Sequence, residues 1–249
     1  KESKFKNHFI QPAATDDGTA LGAAYYCFHN YLKKKERFVM KHAFWGPSYD
    51  EQTILNSIKA KKLKYKKFDG VDDLTKYAAK VIVDSNVVGW YQGRSEWGPR
   101  ALGNRSILAN PANKNMKDII NSKIKKRESF RPFAPSVLEE EVSRFFECDI
   151  KSEFMNHIVK FQKKWCEVFP SVCHVDYTAR LQTVNEENNF LFYKLIKEFK
   201  KITGYGIILN TSFNENEPIV DTPEQAIDCF LRTDMDILFL EKFMICKDS

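Results

Sequence analysis

Arg94, Arg100 and Arg105 fall within sixteen residues, Gly93–Leu108, that also carry three glycines and a proline. Glycine and proline both weaken a helix, so this stretch reads as a shaped loop. Arginine presents a fixed fork of donors suited to phosphate and carboxylate oxygens, and glycine lets backbone approach a ligand closely. The combination points to an anion pocket. The competing reading is a tight turn whose arginines are solvated or salt-bridged. A second basic cluster, Lys125, Arg127 and Arg131, precedes Pro132-Phe133-Ala134-Pro135. Cations at a helix C-terminus complement its dipole, but Arg131 lies beyond the predicted helix end. A third stretch, Gly206-Ile-Ile-Leu-Asn210-Thr211-Ser212-Phe-Asn214, runs an apolar strand into short polar side chains. These can hydrogen-bond a base, ribose or phosphate, or cap a turn. Between the last two, residues 174–184 alternate as a strand does, with Asp176, Arg180 and Gln182 on one face.

Alternating apolar runs and helix signals must position these residues. Asp16 or Asp17 can cap a helix over about 18–33, and a short strand is expected near 37–42. Ser48 with Glu51 forms a capping-box pattern opening a helix to about 60, and a helix over 72–81 precedes the apolar strand 87–91. The lysines of 59–67 suit a helix end and an edge strand better than a nucleic-acid patch. Asn113 is expected to cap a helix from Met116 to about Ile124, followed by strands at 134–138 and 155–161. A helix over 188–201 should end at Gly204, and Thr222 with Pro223 should open the last helix. Strands at 236–240 and 243–246 close the chain. Helices alternating with strands predict an α/β class with an open, twisted mixed sheet flanked by helices.

The 249 residues, 43% hydrophobic and 29% charged, suffice for one large domain or two small ones. A net charge of +6 fits a small anionic ligand without demanding nucleic acid. No apolar run approaches a membrane span, and Lys1–Lys6 lacks the apolar segment of a signal peptide. The chain lacks a starting Met and is expected to be a piece of something longer. Six cysteines without a CxxC pair predict reduced thiols in a cytoplasmic protein, and Cys166, Cys173 and His174 are poorly spaced for structural zinc. His157 reads as a strand residue. There is no GxxxxGK[ST] loop and no nucleophile elbow.

Four segments, GRSEWGPRALGNRSILANP, KKRESFRPFAPSVL, DYTARLQTV and ILNTSFNENEPIVDTPEQAI, occur in this order. Together they resemble the C-terminal region of the O-carbamoyltransferases of the nodulation and antibiotic-biosynthesis (NodU/CmcH) type, over roughly residues 11–245. The resemblance implies two parts: residues 1–44 as the tail of an upstream ASKHA-like module, and 45–249 as a YrdC-like domain. Lys125-x-Arg127 with Pro132 looks like the Lys-x-Arg…Pro motif of YrdC proteins, and Asn210–Asn214 resembles their Ser-Ala-Asn motif. Asp16 sits where the upstream module has a metal-binding aspartate, whose histidine partners are absent here, so helix capping competes with that role.

By resemblance the chain would bind ATP with Mg²⁺ and carbamoyl phosphate and form carbamoyl-adenylate. The full-length enzyme would then carry the carbamoyl group to a small hydroxylated acceptor. Adenylation builds negative charge on phosphoryl oxygens, so positioned cations are its main requirement. Arg94, Arg100, Arg105, Arg127 and Arg131 are then expected in catalytic roles. Lys125, Arg180, Asn210, Thr211, Ser212 and Asn214 are expected to bind nucleotide, and Glu96 to hold Mg²⁺ or orient an arginine. A dimer is compatible with this reading. The alternative is a YrdC-like RNA-binding or tRNA-modifying protein of the threonylcarbamoyl-adenylate type.

Overall fold

The computed structural model describes Lys4 and residues 8–247. The stretch Lys1–Lys6, read above for its lack of an apolar core, lies outside them apart from Lys4. The strands are β1 Lys66–Lys67, β2 Val88–Tyr91, β3 Arg105–Ala109, β4 Ala134–Leu138, β5 His157–Lys160, β6 Thr178–Val184, β7 Ile207–Ser212, β8 Ile237–Leu240 and β9 Phe243–Cys246. Among the described residues they form one sheet in the order β1-β9-β8-β2-β3-β7-β4-β6-β5. The pairs β2–β8 and β4–β6 are parallel and the others antiparallel, so the sheet is open and mixed as expected. The helices are α1 Thr19–Tyr26, α2 Glu51–Ala60, α3 Val71–Val83, α4 Met116–Ile119, α5 Val142–Phe145, α6 Lys163–Cys166, α7 Phe190–Thr203 and α8 Pro223–Arg232.

Both faces of the central strands are covered, which is why those strands read as unbroken apolar runs. In β3, Leu108 packs in the layer that holds Leu74 and Ile82 of α3 and Leu195 and Phe199 of α7. Its neighbours Ile107 and Ala109 face the opposite layer, with Ile54 and Ile58 of α2 and Ile227 and Phe230 of α8. Full burial of one such side chain contributes about 1.5–3 kcal/mol. The arrangement anchors the strands whose ends carry the polar segments.

Helix ends follow local chemistry. Thr222 Oγ1 accepts from the Gln225 amide while the Gln225 side chain accepts from the Thr222 amide, closing a capping box around Pro223. Gly204 ends α7 in the left-handed conformation, φ +80°, and its amide donates to Lys200 O. α2 is capped by Asp50, whose carboxylate accepts from Thr53 N at 2.8 Å, rather than by Ser48. Asn113 caps its own loop, accepting from Asn115 N, and the following helix is regular only over α4, widening across 120–124.

Other expectations are corrected. α1 is regular only to Tyr26, widens over 27–31, and buries none of its residues. No strand forms at 37–42. Residues 174–177 make a turn before β6, closed by His174 N on Thr178 O and Tyr177 N on His174 O. Cys166 and Cys173, expected as reduced thiols, are joined as a disulfide with Cα atoms 5.4 Å apart. The lysines of 59–67 do divide into a helix end and the edge strand β1, with Lys67 paired to Glu51. His157 lies in β5.

Candidate anion site

Tyr91 of β2 pairs with Arg105 of β3, so residues 92–104 are one long hairpin connection. The Glu96 carboxylate shapes it. Its Oε1 accepts from the amides of Leu102, Asn104 and Arg105 at 2.6, 2.9 and 3.3 Å. Burial pushes this carboxyl above its usual range, opposed by the Asn104 and Leu102 amides. Glu96 thus organises backbone. Gly103 stands at φ +109°, and a Cβ there would lie 2.3 Å from the Phe192 ring, so only glycine fits.

The folded loop presents Pro99, Arg100 and Ala101 to a cleft of about 320 Å³. The opposite walls are Arg127, Arg131 and Phe133, then Asn210, Thr211 and Ser212 at the end of β7. Met155, His174 and Arg180 complete it. Among the described residues no carboxylate lines this cleft. Burial, then the neighbouring Arg180 charge, lowers the affinity of Arg100 for its proton; burial, then Arg131, does the same for Arg127. Four guanidinium groups therefore converge here, and Arg131 is ion-paired to Glu128 at 2.9 Å. Uncompensated like charges are costly unless an anion joins them.

Several fully buried side chains fix the walls. Asn121 Oδ1 accepts from Arg127 Nε at 2.8 Å, and Asn121 Nδ2 donates to Arg131 O at 3.0 Å, setting the 127–131 loop. The Arg127 guanidinium also lies over the Phe133 ring, 5.1 Å from its centre. Across β7, β4 and β6, Asn210, Ser136 and Gln182 form a buried polar row: Ser136 donates to Gln182 Oε1, and Gln182 Nε2 donates to Leu102 O at 2.8 Å. His174 Nδ1 lies 3.1 Å from Thr178 Oγ1, which donates to Asp176 Oδ1 at 2.7 Å. Burial holds the His174 imidazole below its ordinary range, against Asp176 and with Arg180. His174 is therefore a neutral donor or acceptor at pH 7.

Of the residues singled out from sequence, Arg100, Arg127, Arg131, Arg180, Asn210, Thr211 and Ser212 meet in this cleft. The others are placed elsewhere. Arg105 is fully buried, stacked over Tyr91 at 3.5 Å, and donates to the carbonyls of Gln92, Asn104, Gly93 and Pro47. Both of its terminal nitrogens are engaged by carbonyls at the base of the hairpin loop. Arg94 donates to Gly46 O and Trp45 O and ties down the 45–47 turn. Lys125 Nζ donates to Ser212 O, Asn214 O and Asn214 Oδ1 at 2.6–2.7 Å, so Lys125 and Asn214 hold the turn after β7 from behind. Burial, then the Arg127 charge, brings the Lys125 amine down to about 7. Asp16 lies in a single helical turn, and its carbonyl accepts from Thr19 Oγ1. Among the described residues no group of three or more His, Cys, Asp or Glu is placed to hold a metal.

Sequence reasoning missed His174 as a wall of the cleft, having weighed it only beside Cys173, and missed Asn121 and Ser136 behind it. The alternation that put Arg180 and Gln182 on one face was the available signal for the cleft wall. A second cavity, about 440 Å³, is lined by Asp17, Tyr25, Phe38, Trp45 and Trp97 among others. Its lining is mostly aromatic and apolar, with Asp17 as the charged member among the described residues.

Residues 79–247 match the sequence model of the family described as Carbamoyltransferase C-terminus. The nodulation protein NolNO of Sinorhizobium fredii is 44% identical over 247 residues, which is 98% of this chain and 36% of that protein. The nodulation protein NolO of Bradyrhizobium diazoefficiens is 44% identical over 253 residues, 98% of this chain and 45% of its own length. A crystal structure of full-length HypF in a phosphate- and nucleotide-bound form aligns over 72% of this chain and 22% of that one, at 18% identity and a TM-score of 0.47. The chain spans less than half the length of the curated relatives it matches. Among the described residues no helix is long and apolar enough to cross a membrane. With the family model covering more than half of its residues, the chain belongs to the Carbamoyltransferase C-terminus family.

Proposed function

We propose that the cleft binds ATP and carbamoyl phosphate and forms carbamoyl-adenylate, which the full-length protein uses to carbamoylate a hydroxyl of a small acceptor. The observation that carries this is the convergence of Arg100, Arg127, Arg131 and Arg180 on a cleft lined by no carboxylate. Water cleaves carbamoyl phosphate to carbamate and phosphate. A carbamate oxygen then attacks the α-phosphorus of ATP, forming the carbamoyl–phosphate anhydride bond and breaking the bond to pyrophosphate. The acceptor hydroxyl later takes the carbamoyl group, releasing AMP and its proton.

In this scheme the arginines hold phosphoryl oxygens and offset charge as pyrophosphate departs; losing one such contact typically costs about 10²–10³ in rate. Thr211 and Ser212 offer hydroxyl donors at the end of β7. Among the described residues the cleft walls offer no carboxylate. Mg²⁺ belongs to this reading as the counter-ion carried by the nucleotide phosphates. In this reading the reaction takes place in the cytoplasm, and residues 1–44 are the tail of an upstream module.

Calorimetry with ATP and Mg²⁺, followed by assay for AMP and pyrophosphate on adding carbamoyl phosphate, tests the proposal. Binding with carbamoyl-phosphate-dependent release of AMP is expected. No nucleotide binding at millimolar concentration removes its basis.

A further inference from the structure

Among the described residues, four buried side-chain polar atoms have no hydrogen-bond partner: Trp90 Nε1, Gln92 Oε1, Arg105 Nε and Asn210 Oδ1. Only Asn210 among these residues lines the arginine cleft. It is 1% exposed, so its unpaired carbonyl oxygen is costly as it stands.

The amide cannot relieve this by turning over. Gln182 Nε2 donates to Leu102 O, which directs Gln182 Oε1 at its other neighbours. Ser136 Oγ donates to that Oε1 and leaves its lone pairs to accept. Asn210 Nδ2 meets three acceptors, Gln182 Oε1 at 2.9 Å, Ser136 Oγ at 3.0 Å and Ala101 O at 3.3 Å. A reversed amide would set its oxygen against the Gln182 and Ala101 oxygens. The row running from Leu102 O through Gln182 and Ser136 therefore polarises Asn210, fixing Nδ2 on these acceptors and leaving the buried Oδ1 unpaired in a residue that lines the cleft.

The cleft thus combines cations for an anion with one acceptor that calls for a donor on the same ligand. A carboxylate or a fully ionised phosphoryl group offers only acceptor oxygens. A carbamoyl group offers oxygens together with an NH₂ donor. We infer that Asn210 Oδ1 accepts a hydrogen bond from the carbamoyl NH₂, with Ser136 and Gln182 as positioning residues, and so selects carbamoyl over acyl groups of the same size. This rests on the proposed function and adds the group that reads the substrate's nitrogen.

Carbamoyl phosphate and acetyl phosphate carry the same phosphoryl group and differ by NH₂ against CH₃. Their affinities for the whole chain, measured by calorimetry in fresh solutions, test the inference. The wild-type chain should prefer carbamoyl phosphate by roughly tenfold, the scale of one hydrogen bond to a buried acceptor. N210A and N210S, checked for folding by thermal melting, should bind the two equally while still binding them. Equal affinity of both phosphates for the wild-type chain overturns the inference and leaves the proposed function standing, and this comparison needs no variant to fold. A preference that survives in N210A or N210S also overturns it. Failure of both phosphates and ATP to bind the wild-type chain overturns the proposed function and this assignment with it.

Discussion

Replacing Arg100 by glutamine should change ligand affinity and stability in opposite directions. In the free protein Arg100 faces Arg180 with no carboxylate lining the cleft between them. Removing its charge deletes a repulsion. The side chain is only partly buried, so solvent screening limits that gain to at most about 1 kcal/mol. For a chain of this length 1 kcal/mol corresponds to roughly 2–4 °C in melting temperature, so R100Q should melt at or slightly above the wild type. In the complex a charge-assisted hydrogen bond to a phosphoryl oxygen is lost, worth about 1.5–3 kcal/mol, or roughly 10- to 150-fold in affinity. Thermal melting without ligand and calorimetry with ATP and Mg²⁺ read the two effects separately. Raising salt should weaken the wild-type complex more than that of R100Q. A fall of several degrees in the ligand-free melting temperature, or an unchanged nucleotide affinity, would refute the reasoning, because either result makes Arg100 a structural cation like Arg105.

The contrasting substitution is R105Q. It leaves the carbonyls of Gln92, Gly93 and Asn104 short of their buried donor and should destabilise the protein by about 2–4 kcal/mol, read by urea unfolding. E96A removes the acceptor for three loop amides and should lower both stability and ATP affinity, through the displaced Pro99–Ala101 wall; E96Q, which keeps an oxygen there, should recover most of both in the same assays. The Lys125 amine releases its proton at about 7 when folded and at about 10.5 when unfolded. The unfolded chain holds the extra proton across that window, so this group makes stability rise from pH 7 towards pH 10. Urea midpoints against pH should show that slope, and K125M should flatten it while lowering stability overall, since Ser212 O, Asn214 O and Asn214 Oδ1 lose their donor.

Much of the framework was legible because it is written in local chemistry. Thr222-Pro223 and Gly204 mark helix ends through their own side chain or left-handed backbone, and 134–138 and 243–246 read as strands from apolar runs alone. The arginines were harder to sort. Arg100 and Arg105 are five residues apart with the same chemistry, and only the β2–β3 register decides their fates. That register puts Arg105 against Tyr91 on a buried face, whereas Arg100 sits at the loop's rim. The place of Arg94 was hidden for a similar reason, since the Trp45–Gly46 carbonyls that engage it come from a distant turn. Lys125 and Asn214 belong to the right neighbourhood but face each other behind the wall. The Asn210–Ser136–Gln182 row joins three strands far apart in the chain, and no spacing along a single segment announces it.

The central claim is that the arginine cleft holds the phosphates of a nucleotide. A crystal structure of this chain with Mg²⁺ and a non-hydrolysable ATP analogue tests it most directly. The account predicts phosphoryl oxygens within hydrogen-bond distance of Arg100, Arg127 and Arg180, beside Thr211 and Ser212. A nucleotide bound away from these residues, or seated in the aromatic cavity between Trp45 and Trp97, would contradict it.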